Sequence, residues 1–184
     1  SSGSSLVYST YVGGSFDERG LSIEVDSYGF AYVSGRTSSY NFPVNNAYDD
    51  SQNGGQFDCF VLKLNSSGSS LIFSTYLGGS SYEAAESITL DVFGNIYITG
   101  ATSSSDFPLL NAYDDTLNGV DFFVTKLNST GNGLDYSTYI GGSNSEGDFS
   151  GSIEVDLEGY AYVSGTTSSS DFPTLNAYDS TFNG

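Results

Sequence analysis

Phe73-Ser-Thr-Tyr-Leu-Gly-Gly79 decides the fold, because the chain contains it three times. Tyr8-Ser-Thr-Tyr-Val-Gly-Gly14 precedes it by 65 residues and Tyr136-Ser-Thr-Tyr-Ile-Gly-Gly142 follows it by 63. Working outward, Ile23-Glu-Val-Asp26, Ile88-Thr-Leu-Asp91 and Ile153-Glu-Val-Asp156 recur at 65, as do Phe42-Pro43, Phe107-Pro108 and Phe172-Pro173. Asn46-Ala-Tyr48, Asn111-Ala-Tyr113 and Asn176-Ala-Tyr178 keep the same interval. A fixed period of this length is the signature of a repeat architecture. The two small length changes fall after Tyr113 and after Gly142, where loops are expected to absorb them.

Within each period, short runs alternate apolar and polar residues and are punctuated by Gly, Asn or Asp, which predicts four strands, a to d. In the first full unit these are Ser22 to Asp26, Phe30 to Gly35, Asp58 to Asn65 and Leu71 to Leu77. Strands a and b are joined by Asp26-Ser-Tyr-Gly29, repeated as Asp91-Val-Phe-Gly94 and Asp156-Leu-Glu-Gly159, a turn in which Gly supplies a positive φ. No segment sustains a helical period. A lone unit of about 65 residues would regain by burial roughly what it loses in chain entropy, so the units are expected to stack and to fold as a coupled array.

Composition narrows function. With 22 acidic and 4 basic residues the net charge is −18, which repels nucleic acid and anionic membranes and makes Ca²⁺ a plausible companion. The 15 Tyr and 13 Phe residues suit half-buried pleated surfaces and argue against disorder. His, Trp and Met are absent and Cys59 is the only cysteine, which removes His-dependent catalysis and any internal disulfide. Apolar runs are only a few residues long, so membrane insertion is not expected.

The motifs resemble the SBBP repeats of bacterial and archaeal β-propeller proteins. That family's pattern of Asp-x-Phe-Val-x-Lys-Leu-Asn, Tyr-Ser-Thr-Tyr-Leu-Gly-Gly, Ile-x-Val-Asp, Ala-Tyr-Val-x-Gly-x-Thr-Ser and Asp-Phe-Pro stands here as Asp121 to Asn128, Phe73 to Gly79, Ile153 to Asp156, Ala161 to Ser168 and Asp171 to Pro173. The resemblance implies an all-β fold of four-stranded antiparallel blades and an extracellular or cell-surface setting, with no shared catalytic site. Residues 1–14 then carry the outer strand d of an incomplete blade, 15–79 and 80–142 two blades of strands a-b-c-d, and 143–184 a partial blade of strands a and b only. Closed propellers need four to eight blades, so this one is not expected to close within the chain. The sequence reads as a window on a longer array or as one whose missing strand c another chain supplies.

In such a meander the d-to-a and b-to-c connections share one end, here acidic and variable, and that end is where binding would sit. Asp49, Asp50, Asp114 and Asp115 are the candidates for Ca²⁺ or glycan binding, against plainer roles as solvated or turn-capping carboxylates. Asn65-Ser-Ser67 and Asn128-Ser-Thr130 make Asn65 and Asn128 candidates for glycosylation in the c-to-d turns. Every acidic residue is expected in a repeated turn or a variable loop. Cys59 is expected as a small buried hydrophobe, and Lys63 and Lys126 as partners of nearby carboxylates. The expected function is a non-enzymatic surface or structural repeat protein, part of a fibre, stalk or adhesin that self-associates through blade edges. The alternative is a glycan- or Ca²⁺-binding part of a closed propeller.

Overall fold

The computed structural model describes residues 2–147 and 151–183, so part of the acidic connection from Ser143 to Ser152 lies outside the described residues. Strands β1 (Glu18–Val25), β2 (Ala31–Thr37), β3 (Asp58–Leu64) and β4 (Leu71–Leu77) pair in chain order as an antiparallel sheet. A second such sheet holds β5 (Glu83–Leu90), β6 (Ile96–Thr102), β7 (Asp121–Leu127) and β8 (Leu134–Ile140). Strands β9 (Ser152–Val155) and β10 (Ala161–Ser164) pair as a third, two-stranded sheet. These are the expected blades, unclosed among the described residues.

The a-to-b turns form as anticipated. Asp91 Oδ1 accepts the N–H groups of Phe93 and Asn95 at 2.9 Å each, and Gly94 takes φ +79°. Asp26 and Asp156 repeat the arrangement. Lys126 Nζ lies 3.6 Å from Asp91 Oδ2 and Lys63 Nζ 3.7 Å from Asp26 Oδ2, so both lysines meet carboxylates. Burial would raise the Asp91 carboxyl, but Asn95, the two N–H groups and Lys126 together hold it below its usual range. Its contribution is therefore present above the unfolded value near 4 and is lost as pH falls below it. Asp91→Ala should cost about 2 kcal/mol at pH 6 and much less at pH 2, measured by denaturant unfolding at the two pH values.

Strand a begins four residues earlier than the alternation predicts. The register slips between Gly20 and Ser22 and again between Ala85 and Ser87, and a bulge of this kind inverts the in-out phase. A period of two read backwards from Ile23 or Ile88 therefore fails at the bulge. The a strands of successive blades lie side by side, with Ile88 N–H donating to Ser22 Oγ at 3.3 Å and Ile153 N–H to Ser87 Oγ at 3.2 Å.

At the opposite edge, the b-to-c connection does not stay at one end of the blade as expected. It runs back along strand d: Asn45 and Ser74 exchange bonds of 3.0 and 2.8 Å, and Tyr76 N–H donates to the Asp49 carbonyl at 3.0 Å. Leu110, Ser137, Tyr139 and Asp114 repeat this on β8. Asn46, Asn111 and Asn176 adopt φ of +44°, +50° and +51°, which gives the recurring Asn-Ala-Tyr its reason: Asn tolerates the left-handed conformation this path requires. Strand d is thus a covered edge.

Stacking builds the core. One face of blade 1 presents Tyr32, Cys59, Val61, Phe73 and Leu77 to Ile96, Ile98, Phe107, Phe123, Leu127 and Tyr139 of blade 2, in one buried cluster. Cys59 is accordingly a buried free thiol. The far face of blade 2 meets Ile153, Val155 and Ala161 of the third unit through Tyr97 and Val124. Phe42 and Phe107 lie 4.7 Å, ring to ring, from Phe60 and Phe123, so the recurring Phe-Pro is a packing anchor.

Residues 6–12, expected as a strand d, form no strand. Within the described residues they have no strand c to pair with. They nonetheless lie where a preceding strand d would lie: Tyr8 Cγ stands 2.6 Å from where a Cβ on Gly68 would be, as Phe73 Cγ does at Gly131.

Candidate functional site

The acidic candidates are not brought together. Asp49 and Asp114 sit on successive blades, and their backbones pair with strand d while their side chains cap their own loops. Asp49 Oδ1 accepts Ser51 N–H at 3.0 Å and Asp114 Oδ1 accepts Thr116 N–H at 2.9 Å. Asp115 Oδ1 takes the Thr116 hydroxyl, and Asp50 lines an open groove with Tyr48 and Asn46. Among the described residues no three Asp, Glu, His or Cys side chains form a metal-holding group. Asn65 and Asn128 lie in the c-to-d turns, where their Oδ1 atoms accept Ser69 N–H at 2.9 Å and Asn132 N–H at 3.2 Å.

A different set of carboxylates is gathered, at the seams between blades, and these contradict the expectation that every acid sits in a turn or a variable loop. Asp58 and Asp121 open strand c of blades 1 and 2; Glu83 and Glu146 lie at or just before strand a of the following unit. All four are buried. Asp58 meets Glu83 beside Gly78: a Cβ there would stand 2.8 Å from Asp58 Cγ and 2.9 Å from Glu83 Oε2. Asp121 and Glu146 meet in the same way beside Gly141. The Gly-Gly of the repeat is thus needed for room: its first glycine admits the two carboxyl groups, and its second lies against Ser104 or Ser169 of the next unit.

Each glutamate is held by a threonine of its own unit and by the glycine that ends the preceding blade. Glu83 Oε1 accepts the Thr102 hydroxyl at 2.8 Å and Oε2 accepts Gly79 N–H at 3.1 Å; Glu146 repeats this with Thr167 at 2.9 Å and Gly142 at 3.2 Å. Glu18 bonds Thr37 at 2.9 Å in the first blade. Asp58 Oδ2 accepts Asn53 N–H at 2.8 Å and Asp121 Oδ2 accepts Asn118 N–H at 3.1 Å. Asp121 Oδ1 finds no donor, and what lies beside it is the Glu146 carboxylate. Burial, partly offset by the Asn53 N–H and reinforced by Glu83, pushes the Asp58 carboxyl up to about 7. Burial and Glu146, against the Asn118 N–H, push Asp121 up to about 7 as well.

The signal for these acids was in the sequence as Gly-Gly-Ser followed three residues later by Glu18, Glu83 or Glu146, and as the Asp that opens each strand c. It went unread because a carboxylate at a strand end looks solvated until a second blade covers it.

Three stretches, residues 7–43, 72–108 and 135–173, match the SBBP family model, described as a beta-propeller repeat, and together they cover more than half of the chain. The chain belongs to the SBBP beta-propeller repeat family. Each matched SBBP stretch starts in the strand-d sequence and ends at Phe-Pro. It therefore carries Gly-Gly, the glutamate and the Thr and Ser that hold it, the glutamate's half of a seam, while Asp58 and Asp121 lie between the stretches. A comparison with curated proteins found no match.

Proposed function

We propose that this SBBP chain is a non-enzymatic structural segment of an extracellular or surface protein, extended by adding blades face to face and strand to strand. The observation that carries this reading is the flank of β10. Tyr162 is 61% exposed, while its equivalents Tyr32 and Tyr97 are 2% and 0% exposed between blades. Among the described residues no strand pairs with the outer edge of β10. Beside that edge an apolar slot of about 350 Å³ is lined by Phe122, Ile140, Val163, Gly165 and Phe172.

Register supplies the occupant's chemistry. Gly35 pairs with Phe60 and Gly100 with Phe123, and those rings stack on Phe42 and Phe107. Phe172 holds the same position with no ring stacked on it among the described residues, so a strand of the Asp-x-Phe-Val-x-Lys-Leu type would set its Phe opposite Gly165. Main-chain bonds along β10 would give affinity and the aromatic pocket would give register.

A peptide with the sequence of Asp121 to Asn128 should raise the melting temperature of the chain. At a hundredfold excess over its Kd the stabilisation is about 2.7 kcal/mol, or roughly 5–10 °C at this size. The same peptide with Ala in place of Phe at the position of Phe123 should give little or none of it. No shift with the parent peptide, together with β10 amides already protected from hydrogen exchange, would refute this assembly route.

A further inference from the structure

We propose that each seam between consecutive blades is a proton-binding site, in which one proton is shared by Asp121 and Glu146 and another by Asp58 and Glu83. Blade docking then tightens as the pH falls below neutral. The bond is specific: Asp121 Oδ1 takes a proton from solvent and donates it to the Glu146 carboxylate, which turns a repulsive pair into a charge-assisted hydrogen bond.

Three observations carry this. First, the pairs are buried and no Lys or Arg reaches them. Asp121 faces Glu146, Asp114 and the Tyr139 hydroxyl; Asp58 faces Glu83, Asp49, Asp106, Tyr76 and the Cys59 thiol. Lys63 and Lys126 are held at the other end of strand c by Asp26, Asp91 and Asp135, and Arg36 lies over Phe57 and Tyr82.

Second, hydrogen-bond accounting leaves room for one hydrogen and not for a cation. Both oxygens of Glu146, and Asp121 Oδ2, already accept N–H or O–H groups, so only Asp121 Oδ1 is unserved. A Ca²⁺ ion needs six to eight oxygens, and the N–H groups aimed at this pair oppose positive charge. In blade 1 Gln52 Nε2 lies 3.4 Å from Asp58 Oδ1 and supplies part of what is missing; Leu117 stands at that position in blade 2. The Asp121–Glu146 seam is thus the more proton-dependent of the two.

Third, the geometry repeats. Two successive seams place an aspartate from strand c against a glutamate from the next unit, around a glycine where any side chain would collide with both. Two carboxyls from different blades can share a proton only while the blades are docked, so proton uptake and docking are linked.

The sign follows from the raised folded values. Stability from these groups is fully present below the unfolded value near 4, declines as pH rises, and is lost once pH passes about 7. The chain has no His, and the other carboxyls that burial raises are Glu83, within the first pair, and Glu86, which lies outside both pairs, accepts Gly151 N–H at 2.6 Å and is common to the wild type and Asp121→Asn. Thermal unfolding of the full chain at those two pH values should show a melting temperature higher by several degrees at pH 5.5. Asp121→Asn, whose amide can donate to Glu146 without titrating, should fold, hold the higher value at both pH values and lose most of the difference. Carbon-13 titration of the aspartate carboxyls should show two midpoints near neutrality. A melting temperature flat across this range with all carboxyl midpoints near 4 would overturn the proposal. Recovery of the pH 7.5 loss by added Ca²⁺ in wild type and not in Asp121→Asn would also overturn it, by making the seam a cation site.

Discussion

Gly100→Ala should cost about 3 kcal/mol or more, the largest loss expected from a methyl group added at the strand-b glycines. Gly100 lies on β6 within the bulge of β5, and a Cβ there would overlap the Ala84 carbonyl oxygen, with Ala85 Cα only 3.0 Å away. Both obstacles are backbone, and β5 is held between β1 and β9, so it has nowhere to retreat. A loss of this size lowers the melting temperature by about 6–12 °C at this chain length. Gly35→Ala meets the equivalent Arg19 carbonyl, but among the described residues no blade packs on the outer side of β1, which can yield, so a smaller loss is expected. Among the described residues Gly165→Ala meets the Phe122 ring, with Cε2 2.6 Å away, and a side chain can turn aside. The order of the three melting temperatures in calorimetry checks the account; equal losses at all three sites would remove it.

Phe73→Ala should cost about 3–5 kcal/mol, because it empties the joint between blades and not merely a site within one. Phe73 is 1% exposed, touches Tyr32 edge-to-face at 6.3 Å and lies on Gly131 of the next blade. Tyr8 occupies the same place in the repeat and lies on Gly68 in the same way, yet it is 37% exposed and its segment pairs with no strand. Tyr8→Ala should therefore cost no more than about 1 kcal/mol. Denaturant unfolding followed by blade-specific hydrogen exchange measures both. In the Phe73 variant the amides of β1–β4 should exchange by a separate, easier opening than those of β5–β8, since loss of a nearest-neighbour interface uncouples repeat units.

That contrast shows where reading the sequence stops. Period, strand count and turn positions were legible because they are local: Asp26, Asp91 and Asp156 each cap a turn closed by a glycine, and alternation marks which residues share a face. Lys63 and Lys126 could be paired with carboxylates, and Cys59 placed in the core, by aligning copies. The early start of strand a could not be read, because a bulge at residues 20–22 and 85–87 inverts the phase on which the reading depends. Nor could the path of the b-to-c segment along strand d, although Asn46 and Asn111 announced an unusual backbone at its start.

By itself, then, the sequence determined the blade: its strands, its turns, and the alternation that gives it two apolar faces. Only the tertiary structure decided what each face meets, since equivalent residues receive different neighbours. Ile88 is 4% exposed against blade 1, while Ile23, the same residue in the same strand, is 63% exposed where no blade covers it. The seam acids follow the same rule. Asp121 is an ordinary strand-opening aspartate until the next unit sets Glu146 beside it and removes the water, and burial next to a like charge is what moves its proton into the neutral range.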